Sequence, residues 1–134
     1  MTNSCDVPVR APATQRLLEA LTNRDFDALA ACLEPTATMR ALLPRGFAEY
    51  ESADQIVGAF EFWFGSASGF EVVDSSVDEV GGKIHAAWRL RVDGTPRGDE
   101  GWHTIEQQVF VQASRRIESI DLLCTGFMPE GAAQ

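Results

Sequence analysis

The sequence is short of the residues that staple or metallate a fold. It has only three cysteines, two histidines and one tyrosine. Cys5, Cys32 and Cys124 are odd in number and far apart, which excludes a disulfide framework and leaves no pair at metal-ligand spacing. Cys32 and Cys124 lie among apolar residues and read as small core side chains. His85 and His103 cannot alone supply a three-histidine zinc site, so neither a metal nor a cofactor is expected. No apolar run approaches the ~18 residues of a membrane span. The stretch Met1–Pro12 lacks the hydrophobic segment of a signal peptide. Basic residues are scarce, 11 against 20 acids, for a net charge of −9. Such a surface repels phosphate backbones and anionic headgroups, so neither nucleic acid nor a membrane is an expected partner. The acids are scattered rather than gathered in a tail, as on an ordinary solvated surface. With no disulfide and no export signal, the cytoplasm is the expected compartment. A glycine-rich phosphate loop, a nucleophile elbow and internal repeats are also lacking.

What remains is an ordinary globular composition, 45% hydrophobic over 134 residues, enough for one domain with its own core. Residues 1–12 carry Pro8 and Pro12 and no periodicity, and read as a loose leader. The domain proper spans 13–127, and 128–134 reads as a frayed tail. A first helix is expected over Ala13–Asn23, with Leu17, Leu18 and Leu21 as its buried stripe. Asp25 is a good N-cap for a second helix. There Phe26, Leu29, Ala30 and Leu33 fall on one face, and Pro35 is expected to stop it. A strand follows over Thr36–Leu43, then a loop or short strand over Arg45–Glu51. Ser52 and Gln55 form a capping box for a third helix, whose stripe is Ile56, Ala59, Phe60 and Trp63, widened by Val57 and Phe64.

The period then changes to two. Strands are expected over Phe70–Val80 and Lys83–Val92, joined by the Gly81–Gly82 turn. Ile84, Ala86, Trp88, Leu90 and Val92 share a buried face, while Lys83, His85, Arg89 and Arg91 share a wet one. A last hairpin is expected over Trp102–Gln112 and Ile117–Phe127. The implied class is α+β: three helices toward the N-terminus on a mostly antiparallel sheet.

Three segments, ATQRLLEALTNRDFDALAACLEPTATM, EYESADQIVGAFEFW and FVQASRRIESIDLL, resemble the nuclear transport factor two-like superfamily. The similarity is greatest to the SnoaL-like branch with its polyketide cyclases and ketosteroid isomerases. The resemblance covers Ala13 to Phe127 and implies a strongly curved sheet that closes with the helices into a cone. It also implies an apolar pocket for a small, flat, cyclic ligand, and a homodimer formed through the outer sheet face. Residues expected to line the pocket are Leu17, Leu21, Met39, Ala41, Leu43, Phe60, Trp63, Phe64, Trp88, Leu90 and Trp102. The isomerase pattern, carried over position by position, falls on Ala41 for the base, Leu17 for the tyrosine and Glu106 for the protonated acid. Two of the three thus lack the needed chemistry. The expected polar candidates are Glu106, His103 near the mouth, and Asp121, close to where the cyclases place an acid. The Arg91–Val92–Asp93 stretch resembles part of the limonene epoxide hydrolase pattern, without its second aspartate.

One register question decides how Glu106 is used. If Ile105, Val109 and Val111 face inward, so does Gln107, and Glu106 points out. If Trp102, Thr104 and Phe110 face inward, Glu106 joins them. Ile105, Val109, Val111, Ile117, Leu123 and Phe127 also look too many for one small core, so some are expected to bury against a twin subunit.

Overall fold

The computed structural model describes residues 11–130. Most of the expected leader with Cys5, and positions 131–134 of the expected tail, lie outside the described residues. Helix α1 spans Ala11–Thr22 with Pro12 in its first turn. It buries Ala13, Thr14, Leu17, Ala20 and Leu21. Helix α2, Phe26–Ala31, opens on Asp25, whose carboxylate accepts from the Ala28 N–H at 3.0 Å. Between them Arg24 takes φ +48°, an unusual conformation for a residue with a side chain. There its guanidinium donates to the Phe64 carbonyl at 3.0 Å and the Ala67 carbonyl at 2.7 Å. It also lies over the Phe70 ring at 5.1 Å. The short helical linker thus pins the far end of the third helix.

Helix α2 stops earlier than its apolar spacing implies, at the Cys32 cap. Leu33 already belongs to strand β1, Leu33–Leu43. Pro35 does not terminate a helix; it sits inside β1. There pairing with the later strand β6, Ile117–Cys124, shifts register between Leu33 and Thr38, as suits a residue with no N–H to give a ladder. The stretch left open as loop or strand contains β2, Gly46–Tyr50, antiparallel to β1. Helix α3, Ala53–Phe64, follows these two strands, so the expected strand between the second and third helices is present and is joined by β2. Its cap is as expected: Ser52 Oγ accepts from the Gln55 N–H, and Gln55 Oε1 from the Glu51 N–H.

Strands β3 (Gly69–Val80), β4 (Lys83–Asp93) and β5 (Trp102–Ala113) run on into β6 as an antiparallel meander. At the first turn Gly81 and Gly82 take φ +56° and +86°, which a side chain resists. The expected strand to Phe127 ends at Cys124. Met128–Pro129 is not frayed but forms β7 against β5. The seven strands order as β2-β1-β6-β5-β4-β3, with β7 beside β5. The β1–β6 pairing is parallel and joins the β1–β2 hairpin to the meander. Helices α1 and α3 pack on the sheet, and the core lies between. Ile105, Val109, Val111 and Ile117 are all fully buried within this one chain. Phe127 is half-buried against the same core. No twin is needed to cover them, and of that set only Leu123 stands exposed. No helix among the described residues is long and apolar enough to cross a membrane.

Candidate functional site

The first of the two registers holds. Glu106 pairs across β4 with Arg89, and Gln107 with Trp88. His103, Ile105, Gln107, Val109 and Val111 point inward and are buried. Glu106 points the other way, its carboxylate accepting from Arg89 Nε at 3.0 Å on the outer face. Strand alternation leaves no way for Glu106 to reach the interior without moving its neighbours out. Trp102 is likewise an outer-face residue, half-buried beneath Arg91 at 4.4 Å. It packs so close to Gly69 that a Cβ there would stand 2.6 Å from the indole.

Asp121 is also outside. Its two oxygens accept from Arg40 Nε and Nη2 at 2.8 and 2.9 Å, with Lys83 at 3.7 Å. Hydrogen bonds from Arg40 hold the Asp121 carboxyl below its ordinary range, so it is an ionised partner and not a proton donor at neutral pH. His85 lies on this outer face, as expected, half-exposed, bonded to Gln108 at 2.9 Å and with its ring tilted against Phe110 at 4.9 Å. Arg91 is engaged by Glu71 and Glu130 on this face and not poised with Asp93. A hollow of about 150 Å³ lies beside them, bordered by Asp74, Arg89 and Glu106 of this face and also by the inward-pointing Trp88 and Gln107.

The expected pocket residues divide. Leu17, Leu21, Met39, Ala41, Phe60, Phe64, Trp88 and Leu90 do face the interior, but none exceeds 2% exposure. Side chains with so little accessible surface are packed against their neighbours, and of this set Trp88 alone borders the hollow. Leu43 and Trp63 are half-buried at its margin. Phe64 is the centre of an aromatic cluster: its ring lies 6.4 Å from Phe60, 6.1 Å from Trp63, 5.8 Å from Phe70 and 6.3 Å from Phe127. Phe60 and Trp63 meet edge to face at 5.2 Å. Tilted and T-shaped contacts of this kind are the favourable ones for aromatic rings.

Few polar groups reach the interior. The Trp88 indole N–H donates to Gln107 Oε1 at 2.9 Å, and Gln107 Nε2 reaches Cys124 Sγ at 3.4 Å. His103 is held by its Nδ1 against the Gly101 carbonyl at 2.9 Å. The Thr14 hydroxyl, fully buried on α1, has no hydrogen-bond partner among the described residues. Among the described residues no carboxylate is buried, and no three of His, Cys, Asp and Glu are grouped to hold a metal. Cys32 is buried beside a cleft between α1 and α2. Burial pushes its thiol up to about 11, so it is a structural and not a reactive cysteine. Gln107 was legible as an inward residue only in one of two registers. The Thr14 orphan left no sequence signal, because threonine in a first helical turn is unremarkable.

The Gln107–Trp88 bond makes one prediction here. Gln107→Leu strands a buried indole N–H and is expected to destabilise by about 1–3 kcal/mol. Adding Trp88→Phe removes the stranded donor and should recover part of that loss. Urea unfolding of the two single variants and the double variant checks it, and strict additivity would show that the two groups are not coupled.

No protein-family model matches the chain, and no curated protein matches it in sequence. Solved structures do. A candidate SnoaL-like polyketide cyclase from Shewanella putrefaciens CN-32 superposes with a TM-score of 0.69 at 14% identity, over 91% of this chain and 83% of that one. A candidate polyketide cyclase from Xanthomonas campestris pv. campestris gives 0.66 at 15% identity, over 84% and 87%. A candidate ketosteroid isomerase from Kribbella flavida DSM 17836 gives 0.59 at 14%, over 88% and 78%. At these identities the likeness establishes the fold, which is the nuclear transport factor two-like one.

Proposed function

We propose that this chain, a nuclear transport factor two-like fold, binds a small, flat, apolar molecule at the aromatic end of its helix–sheet interior. On this reading the sheet curls around α1 and α3 as a cone whose mouth is the Phe64 cluster. The observation that carries it is that cluster, with Trp63, Phe70 and Phe127 half-buried at its rim and the Gln107 amide buried further in along β5. Aromatic walls with one or two placed polar groups are the usual make-up of a site for such ligands. The reading is of binding and not of carboxylate acid–base catalysis. Glu106 and Asp121 are engaged by arginines on the opposite face, and the isomerase base position is Ala41. His103 is the one expected acid–base candidate that faces inward, and it serves here as a polar contact.

A thermal-shift panel of steroids, aromatic polyketides and terpenoids tests it. A ligand present at 100 times its Kd is expected to add about 2.7 kcal/mol, on the order of 10 °C in Tm for a domain this size. A panel with no shift at saturating concentrations would overturn the reading.

One observation favours a second role, self-association through the outer sheet face. Phe47, Leu42 and Leu123 stand side by side across β2, β1 and β6, and are 64%, 53% and 45% exposed. A contiguous apolar row on an otherwise polar face is the mark of a contact surface. The row beside it carries the matched pair Arg40–Asp121, so two copies of a −9 chain would meet where charge is locally balanced. Light scattering at micromolar concentration should give twice the chain mass, and Leu42→Glu should halve it. A monomeric parent protein would sink the dimer.

A further inference from the structure

Strand β6 covers β5 only from Gln107 to Ala113. The chain covers the rest of that edge with its own next residues. The Thr125 N–H donates to the Glu106 carbonyl and Thr125 Oγ1 accepts from the Glu106 N–H, both at 3.0 Å. Pairing resumes at Thr104↔Met128 and His103↔Pro129. From Thr125 to Met128 is three steps, and from Glu106 to Thr104 is two, so one residue is extra. That bulge is taken up where Gly126 adopts φ +83° against Pro44, whose Cγ would lie 2.6 Å from any Cβ placed there. Its effect is to turn the Phe127 ring onto Phe64.

The other rings of the cluster ride on α3 or on the long strand β3. Phe127 alone is carried by a segment with only two ladder positions. That segment is fastened at its end from the outer face: Glu130 accepts from Arg91 Nε and Nη2 at 2.6 and 3.0 Å, and from Thr104 Oγ1 at 3.3 Å. Its backbone N–H donates to the Trp102 carbonyl at 3.1 Å. Arg91 does not depend on Glu130 for a partner. Glu71 of β3 accepts from Nη1 at 3.0 Å, and Trp102 lies beneath the guanidinium. Release of Glu130 therefore strands no charge on the sheet.

We propose that residues 125–130 are a strap that admits a ligand by lifting, with the Phe127 ring occupying the ligand's place while the strap is down. This rests on the interior-site reading above, and it accounts for how a filled interior can also be a site. Interiors are packed to crystal-like density, so a flat ring enters only where one leaves. A dry hole of phenyl size is one that an aromatic molecule fills. The fastening is on the solvent side, where a competitor for Arg91 can loosen it without touching the ligand.

The test is a reversible lock. Thr104 and Met128 are direct partners across the ladder, a placement that a disulfide can span. They lie on the outer face, clear of the cluster. Binding of 2-naphthol is measured on T104C/M128C in a C5S background, oxidised and reduced, with amide exchange at Glu106 and Thr125 in Glu130→Gln alongside. The expected result is at least about tenfold weaker binding when oxidised, as the open fraction falls, recovery on reduction, and faster exchange in Glu130→Gln. Equal binding by both forms overturns the strap and leaves the site standing. Binding by neither form, nor by the parent protein, overturns the site, and the strap with it. Unchanged exchange in Glu130→Gln removes Glu130 as the fastening.

Discussion

Phe64→Ala is expected to cost about 3–5 kcal/mol, the range for deleting a fully buried ring. The ring has no accessible surface and touches Phe60, Trp63, Phe70 and Phe127, so truncation removes the centre of the cluster. Helix α3 limits collapse into the hole, since its other end is capped by Ser52 and its last turn is tied to Arg24. Denaturant unfolding should show a lower midpoint at unchanged slope. Phe62, two residues earlier on the same helix and 65% exposed, is the control, and its alanine variant should stay within about 0.5 kcal/mol. Equal effects at the two positions would refute the packing described here.

Ala41→Asp is expected to be worse, above about 4 kcal/mol at neutral pH. Ala41 is fully buried, with Leu122 and Ala48 as its register partners. An aspartate there both overfills the site and buries a charge where, among the described residues, no lysine or arginine is buried to meet it. Burial raises the folded-state pKa of such a carboxyl above the unfolded value of about 3.9. The charge penalty is therefore absent below that unfolded value and grows as pH rises toward and through the folded one. The variant should be least destabilised near pH 4 and most at pH 8, by urea unfolding at each. A variant as stable as the parent at pH 8 would mean that water already reaches Ala41, and the interior would have to be redrawn as open.

Position 41 also marks how far the sequence can be read. The helix starts were legible because Asp25 and Ser52 announce themselves through local chemistry, and both cap as expected. The β4 face was legible because Ile84, Ala86, Trp88, Leu90 and Val92 alternate without a fault. The last hairpin was not, because Glu106 and Gln107 are adjacent polar residues and alternation alone cannot choose between them. The choice is made across the ladder, by the Trp88 indole needing Gln107 and Arg89 needing Glu106. Proline at 35 misled for a related reason. It is as welcome at a strand irregularity as after a helix, and only the partner strand distinguishes the two. Strand β7 and its bulge had no periodic signature, since two paired residues are too few to show one. The aromatic character of one end was visible in Phe60, Trp63 and Phe64; that their neighbours close over it was not, because spacing carries no information about volume.

The parallel seam between β1 and β6 has a consequence for how the chain comes to be folded. Met39 pairs with Ile120, and Ala41 with Leu122, so the middle of the sheet joins residues some eighty positions apart. The β1–β2 hairpin and the β3–β6 meander can each form from near neighbours, but the joint between them requires closing that long loop. Its formation is expected to limit the folding rate, placing this domain among the slower mixed folds. On a ribosome the hairpin would wait, its seam edge unpaired, until residues 117–124 emerge, and over that interval aggregation is the competing fate.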